Sequence, residues 1–303
     1  MRTVLYTALV TPFDSYGKID YNSLDLLLSM QMNAIAGLVV AGSTGEGLSL
    51  SDAEYSEVVQ YVYNYTRSKD VKIVATITAG NIRGIYHKID LIRSCCDYYL
   101  VTAPYYSIPD QHSLLHFFTE VDKYTDKPWI LYDHPKRTGV SITMSCMQRI
   151  LNLQNIFAVK DCTSLSRESI RKNTKVLWFT GDDEKIIDNA FTGYDGCISV
   201  ISNLVPKYVG KLLYYTSCHD ITNAMGVHNN LLPLYRALSV APNPVAIKYI
   251  LSKNMGANFE YVRSPYVVDV YYKDRIDWEI QCFYRNLQDN KVNGFGISKE
   301  HNI

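Results

Sequence analysis

The sequence lacks an excess of charge of either sign and any long apolar segment. Thirty lysine and arginine residues balance thirty acidic ones, and charged residues make up only 20% of the 303 residues. Such a balance creates no global field that would attract nucleic acid or an anionic membrane. No run of about 18 apolar residues could span a bilayer, and Met1 to Leu5 lack the apolar stretch of a secretory leader. We therefore expect a cytoplasmic protein without nucleic-acid or membrane partners.

The cysteines and glycines also fail to form the patterns of a metal or nucleotide site. The seven cysteines are scattered, and the adjacent pair Cys95 and Cys96 is poorly placed for a shared zinc ion. This usage predicts reduced, mostly buried thiols rather than disulfides. No GxGxxG turn follows the first apolar run, which weakens a dinucleotide-binding interpretation. We expect neither a metal nor a cofactor.

Eight strand-like apolar runs are present instead, with helix-like segments between them. In chain order they are VLYTALVTPF, GLVVAG, VKIVATI, YYLVTAP, PWILYDHP, IFAVKDC, VLWFTGDD and GCISVIS. Their starts lie 20 to 34 residues apart, a spacing typical of repeated βα units. Ser51 and Glu54 form a capping-box pattern before one of the helical segments. The alternation predicts a (β/α)8 TIM barrel, with a doubly wound open sheet as the alternative.

The pattern changes near residue 220. Two long helical segments follow, ITNAMGVHNNLLPLYRALSV and PNPVAIKYILSKNM, and a third is predicted over 274–287. We predict a catalytic barrel over residues 1–220 and a C-terminal helical region over 221–303. The tail from Asn290 is polar, and we expect it to be frayed.

Lys160 ends the sixth apolar run, where an ammonium group would lose much of its hydration. Burial among apolar residues lowers the pKa of a lysine, and a neutral amine can attack a ketone to form a Schiff base. The alternative is a structural lysine paired with a carboxylate. Hydroxyl groups at other predicted strand ends, among them Thr44 and Tyr132, favour chemistry because they can move protons while uncharged. Barrel enzymes place their sites at these ends.

Three carboxylates at the same strand ends, Glu46, Asp182 and Asp183, do not form a convincing metal site. No histidine or further carboxylate is spaced to complete one. A structural role such as helix capping is the expected one.

Seven motifs together resemble the dihydrodipicolinate synthase/N-acetylneuraminate lyase family of class I aldolases over residues 3–290. They are ALVTPF, GSTGEGLSLSDAEY, APYYSIPDQ, YDHPKRTG, FAVKDCTS, TGDDEKIIDNAFTGYDGCISVISN and PNPVAIK. The resemblance implies that Lys160 forms an imine with pyruvate or another 2-oxo acid, and that Tyr132 beside it handles protons. It implies that Thr44 links Tyr132 to Tyr106, which reaches into a neighbouring subunit's site.

The resemblance also assigns residues that bind the 2-oxo acid. It implies that Ser43 and Thr44 hold the pyruvate carboxylate and that Ile198 offers its backbone carbonyl near the lysine. Members are typically homotetramers built from tight dimers. Two departures are the aspartate at 161, where a glutamate is usual, and Ser43, where a threonine is usual; serine keeps the hydroxyl.

Arg137 favours the synthase branch of the family. A guanidinium binds a carboxylate bidentately, which suits a second substrate with its own carboxylate, such as L-aspartate-4-semialdehyde. The branch motif YNxPxRTG is matched by residues 132–139. We therefore predict condensation of pyruvate with this aldehyde on the route to lysine and diaminopimelate. The alternatives are a lyase or aldolase acting on sialic acid or a 2-keto-3-deoxy sugar acid, and a non-catalytic 2-oxo-acid-binding homologue.

Feedback inhibition by lysine is predicted to be weak or absent. In lysine-sensitive family members a glutamate stands four residues after the asparagine that follows the third strand. Here that asparagine is Asn81, and Ile85 occupies the position of the glutamate. An ammonium group that leaves water needs an anion or several acceptors, and isoleucine supplies neither. Asp52 lies in the same region and is a partial substitute.

Overall fold

Eight parallel strands close into a barrel in the computed structural model, which describes residues 3–163 and 165–292. Each strand pairs with the next in sequence, and the last pairs with the first. The strands are β1 Val4–Ala8, β2 Gly37–Val40, β3 Lys72–Ile77, β4 Tyr98–Thr102, β5 Trp129–Asp133, β6 Ile156–Asp161, β7 Leu177–Thr180 and β8 Gly196–Ser199. The predicted (β/α)8 barrel is therefore confirmed, and the open-sheet alternative is wrong.

Helices follow the strands and cover the outside of the barrel. In the described residues they are α1 Tyr21–Gln31, α2 Asp52–Thr66, α3 Ile82–Ile92, α4 Gln111–Tyr124, α5 Pro135–Thr138, α6 Met144–Ile150, α7 Glu168–Arg171, α8 Ile186–Phe191, α9 Pro206–Ser217, α10 Ile221–Ser239, α11 Val245–Met255 and α12 Val270–Val292. Side-chain caps explain several starts. Ser51 and Glu54 make the predicted capping box, and Asn81 and Asp110 cap α3 and α4. Every described helix is too short or too polar to cross a membrane.

The C-terminal helices α10, α11 and α12 pack together beside the barrel. Helix α12 is longer than predicted, since it begins at Val270 and continues to Val292. It buries Ile276, Ile280 and Phe283, which share one helical face, against its neighbours. Residues 290–292 belong to α12, and 293–303, the rest of the tail expected to be frayed, lie outside the described residues. The division at residue 220 stays a prediction.

Alternation along the strands decides which residues face the barrel interior. Ten side chains fill this interior and form a cluster separate from the outer core: Tyr6, Ala8, Val39, Val74, Leu100, Ile130, Tyr132, Ala158, Phe179 and Ile198. Side chains two positions apart lie on the same face of a strand. Lys160, two residues after Ala158, therefore faces inward, whereas Asp133 and Asp161 face the surrounding helices. Inward residues at the strand ends form the floor of any site at this mouth.

Candidate active site

Lys160 lies at the carboxyl end of β6 with only 6% of its surface exposed. Burial lowers its pKa, and the positive charge of Arg137 lowers it further. Among the described residues, no carboxylate lies within 4.0 Å of the Nζ atom, so the alternative of an ion-paired structural lysine is not supported. Gly181 leaves room for this side chain, because a Cβ atom there would lie 2.7 Å from Lys160 Cε. The amine is held in a largely dry environment that favours its neutral form.

Tyr132 lies directly beside Lys160, because the two residues are register partners on β5 and β6. The Lys160 Nζ atom is 4.4 Å from the centre of the Tyr132 ring. Burial raises the pKa of Tyr132, while Arg137 and a hydrogen bond with the Ser43 hydroxyl act in the opposite direction. The phenol is therefore protonated at neutral pH and can donate or relay a proton. It lies next to Lys160, the lysine at the inner end of this cavity.

Ser43 and Thr44 come from the loop after β2 and line the same cavity as Lys160. The cavity has a volume of about 350 Å³. Ser43 contacts Tyr132, whereas the Thr44 hydroxyl accepts a hydrogen bond from Asn243 Nδ2 at 3.0 Å. Because Asn243 occupies one acceptor position of the Thr44 oxygen, the threonine hydroxyl remains free to donate its proton elsewhere. The loop thus presents two hydroxyl groups to the cavity.

Arg137 lies on α5, immediately beyond the end of β5, and is exposed at the cavity mouth. Its positive charge reaches the floor, since it acts on the pKa of both Lys160 and Tyr132. A cation at the mouth and a lysine at the floor define a cavity suited to anionic substrates.

Two predicted site residues are placed differently. Ile198 is fully buried on β8 in the barrel interior and belongs to the same cluster as Tyr132. Tyr106 is 93% exposed, lies outside the lining of the Lys160 cavity, and has a positive φ of 71°. A left-handed backbone is unusual for an aromatic residue. Ile198 therefore lies in the barrel interior and Tyr106 lies outside it, whereas five predicted residues line one cavity: Ser43, Thr44, Tyr132, Arg137 and Lys160.

Sequence reasoning left several cavity residues without a role, among them His134, Cys162 and Asn243. Burial lowers the pKa of His134 to about 4, and Arg137 and Lys160 lower it too, so the imidazole is neutral at pH 7. Burial raises the pKa of Cys162 to about 11, which keeps the thiol protonated. Cys162 could have been found from the two-residue strand period, since it follows Lys160 by two. Asn243, nearly 200 residues from Thr44, carries no such signal.

The carboxylates at the strand ends have structural partners. Asp182 caps the short helical turn at 183–185, and Asp183 accepts hydrogen bonds from Ser199 Oγ and from the backbone of Val200 and Ile201. Glu46 forms a buried ion pair with Lys248 at 2.7 Å. The expected structural role of these residues is confirmed. In the part of the chain that the structure describes, no group of three or more His, Cys, Asp or Glu side chains could hold a metal ion.

Behind the reacting residues lies a second buried ion pair. Asp133, next to Tyr132 but facing outward, lies 2.5 Å from Arg167 Nη2, and both side chains are buried. Arg167 also donates to the backbone oxygen of Ile142 at 3.0 Å. Asp161, next to Lys160, accepts a hydrogen bond from the Tyr194 hydroxyl at 2.9 Å. These contacts fasten the ends of β5 and β6 to the segments that flank α6, α7 and α8.

Comparison with known proteins agrees with this geometry. The profile of the dihydrodipicolinate synthetase family matches residues 2–275. The 4-hydroxy-tetrahydrodipicolinate synthase of Wigglesworthia glossinidia brevipalpis is 30% identical over 277 residues, covering 88% of this chain and 91% of the relative. The enzyme of the same name from Rickettsia bellii (strain OSU 85-389) is 33% identical over 254 residues, covering 82% of this chain and 85% of the relative.

A solved structure extends the similarity to three dimensions. The 4-hydroxy-tetrahydrodipicolinate synthase from Methylacidiphilum fumariolicum SolV superposes with a TM-score of 0.89 at 28% identity. The superposition covers 95% of this chain and 97% of the solved chain. The chain belongs to the dihydrodipicolinate synthetase family. Its predicted lyase class and its predicted activity, 4-hydroxy-tetrahydrodipicolinate synthase in lysine and diaminopimelate biosynthesis, are confirmed by these relationships.

Proposed function

We propose that this enzyme works through a Schiff base between Lys160 and pyruvate, and that L-aspartate-4-semialdehyde is its second substrate. The observation that carries the proposal is the buried Lys160 amine without a carboxylate partner among the described residues, beside a protonated Tyr132. A neutral amine is the nucleophile that attack on the pyruvate C2 carbonyl requires.

The cavity residues supply the remaining steps in this proposal. Attack by Lys160 gives a carbinolamine, and its hydroxyl leaves as water when Tyr132 provides a proton. The positively charged imine then accepts the electron pair released when the pyruvate methyl group loses a proton to the Tyr132 phenolate left by the preceding step. The resulting enamine carbon attacks the aldehyde carbon of the second substrate, whose oxygen takes the proton held by Tyr132. The amino group of that substrate then adds to the re-formed imine carbon and displaces the Lys160 amine, which is released for the next turnover. Ser43 and Thr44 hold the pyruvate carboxylate through their hydroxyl groups, and the Ile198 carbonyl faces the imine region.

Arg137 selects the second substrate. Its guanidinium lies at the mouth of the cavity, beyond the floor that pyruvate occupies. It binds the carboxylate of the aldehyde bidentately and orients the aldehyde carbon toward the enamine. Placement of this cation at the mouth supports an acidic aldehyde over the neutral polyol end of a sugar acid.

The site is completed by a second subunit in this proposal. Tyr106 extends away from its own cavity, with 93% of its surface exposed. Insertion of this phenol into the site of a neighbouring chain would remove it from water and add a proton donor near Thr44. A homotetramer built from such dimers, acting in the cytoplasm, is the assembly we propose.

Borohydride trapping tests the covalent step. Incubation with pyruvate and borohydride, followed by mass mapping, is expected to add a reduced pyruvate to the peptide that contains Lys160. The Lys160→Ala variant should lose both trapping and turnover. The matched control is Lys136→Ala, which removes an exposed lysine at the rim of the same cavity and should preserve trapping. Trapping at a lysine other than Lys160 would contradict the assignment.

A further inference from the structure

The loop that carries Ser43 and Thr44 is fastened by a buried ion pair that reaches it from α11. Lys248 Nζ lies 2.7 Å from Glu46 Oε1, and neither side chain has any exposed surface. Lys248 also donates to the backbone oxygen of Thr11 at 2.9 Å and lies over the Phe13 ring. Burial lowers the pKa of Lys248 to about 8, while Glu46 opposes this shift.

Glu46 is the point at which this loop turns back. Its backbone has a φ of 52°, in the left-handed region that residues other than glycine seldom adopt. Its second carboxylate oxygen accepts a hydrogen bond from the backbone N–H of Arg263 at 2.8 Å. The next residue, Gly47, allows no side chain, because a Cβ atom there would lie 1.9 Å from the Ala41 carbonyl oxygen. A strained turn of this kind persists only when its surroundings determine it.

We propose that Lys248 is a positioning residue for the active site, acting through Glu46 to hold Ser43 and Thr44 in register with Lys160. The same segment of the chain makes a second contact, since Asn243 just before α11 donates to the Thr44 hydroxyl. The C-terminal region therefore fixes both ends of the Thr44–Glu46 stretch.

Stability alone is a weak reason for this ion pair. Replacing a buried ion pair by apolar residues of similar volume is often neutral or stabilising, because both charges must leave water. A directional pair is better explained by the geometry it imposes on the loop. Misplacing a substrate-binding group by about 1 Å can lower a rate on the order of a hundredfold. The proposal rests on pyruvate being held by Ser43 and Thr44, as proposed above.

The test replaces the pair without leaving an unpaired charge. Lys248→Met alone would strand the buried Glu46 anion, so the informative protein is the double variant Lys248→Met/Glu46→Gln. It retains an acceptor at position 46 for the Arg263 N–H. The matched control is Lys253→Met on the same helix, which removes a half-exposed lysine that pairs with Asp277 at 3.4 Å.

Two measurements are made on each full-length protein. The first is hydrogen–deuterium exchange of the backbone amides at 42–49, which needs no substrate. The second is the KM for pyruvate together with kcat. For the double variant we expect faster exchange in this segment and a KM for pyruvate raised by about tenfold or more, with a smaller change in kcat. The control should match the unmodified enzyme in both.

The outcomes separate this proposal from the proposed function. Unchanged exchange at 42–49 in the folded double variant would overturn the positioning role. Faster exchange with an unchanged KM for pyruvate would also overturn it, because the pair would then matter only for loop stability. Failure of the proposed function would show differently, as absence of pyruvate trapping at Lys160 in the unmodified enzyme.

Discussion

The buried pair of Asp133 and Arg167 gives the most direct test of the electrostatics behind the site. The Asp133 carboxyl has a pKa raised from 3.8 to about 6, chiefly by burial, with Arg167 opposing the shift. At 1.36 kcal/mol per pH unit, this difference corresponds to about 3 kcal/mol. The folded state holds the proton more tightly than the unfolded state, so this group lowers the free energy of unfolding as pH rises from about 4 to about 6.

Removing Arg167 should make this loss of free energy of unfolding larger and extend it to higher pH. In Arg167→Met the Asp133 anion loses its only buried cation partner in the described structure, so its pKa rises further. At pH 5 the carboxyl is largely neutral in both proteins, and the variant should lose roughly 1 kcal/mol for the hydrogen bond to Ile142. At pH 8 the loss should approach about 3–5 kcal/mol, the usual cost of breaking a buried pair.

Urea-unfolding midpoints at pH 5 and pH 8 provide the assay, with Asp133→Asn and the double variant completing a cycle. Asp133→Asn resembles the neutral carboxyl and removes the titration, so its free energy of unfolding relative to the unmodified protein should be more favourable at pH 8 than at pH 5. The double variant should recover part of the pH 8 loss. Lys172→Met, which removes an exposed helical ion pair with Glu168 nearby, is the control and should change little at either pH. An Arg167→Met loss of equal size at pH 5 and pH 8 would refute the reasoning.

Three further predictions concern substrates, assembly and regulation. Arg137→Ala should raise the KM for aspartate-semialdehyde by about thirtyfold, from roughly 2 kcal/mol of lost carboxylate binding, while pyruvate trapping persists; an unchanged KM would contradict the role. Mixing Tyr106→Phe and Lys160→Ala chains should recover part of the activity in hybrid dimers, and no recovery in demonstrated hybrids would exclude a shared site. Lysine should inhibit a coupled assay weakly or not at all, because Ile85 is fully buried and Asp52 is already paired with Lys88 and His87; clear inhibition at sub-millimolar lysine would show otherwise.

The sequence predicted the barrel well because each strand is covered on both faces, so all eight appear as continuous apolar runs. The same property exposed Lys160, since a lysine at the end of such a run is conspicuous. The start of α12 was missed because the predicted helix was placed by apolar spacing alone. Asp269, whose side chain accepts a hydrogen bond from the Tyr271 N–H at 2.9 Å, is the cap that could have marked it.

The contacts that hold the site could not be predicted in the same way. Lys248 and Glu46 are 202 residues apart, and Asn243 and Thr44 are 199 apart. No periodic pattern connects positions at such separations, and both contacts depend on how the C-terminal helices pack on the barrel mouth. The left-handed turn at Glu46 could not be predicted either, because glutamate gives no local signal for a positive φ.

The ion pairs Asp133–Arg167 and Glu46–Lys248 also explain how the site can be rigid without fixing the charge of Lys160. A carboxylate beside Lys160 would favour the ammonium form and oppose nucleophilic attack. Asp133, one residue from Tyr132, instead faces outward and is paired with Arg167, and Glu46 is paired with Lys248. These two anions thus fasten a strand end and a loop while their charge is balanced by Arg167 and Lys248. Burial therefore remains the main influence on the Lys160 amine, which is what an imine-forming site requires.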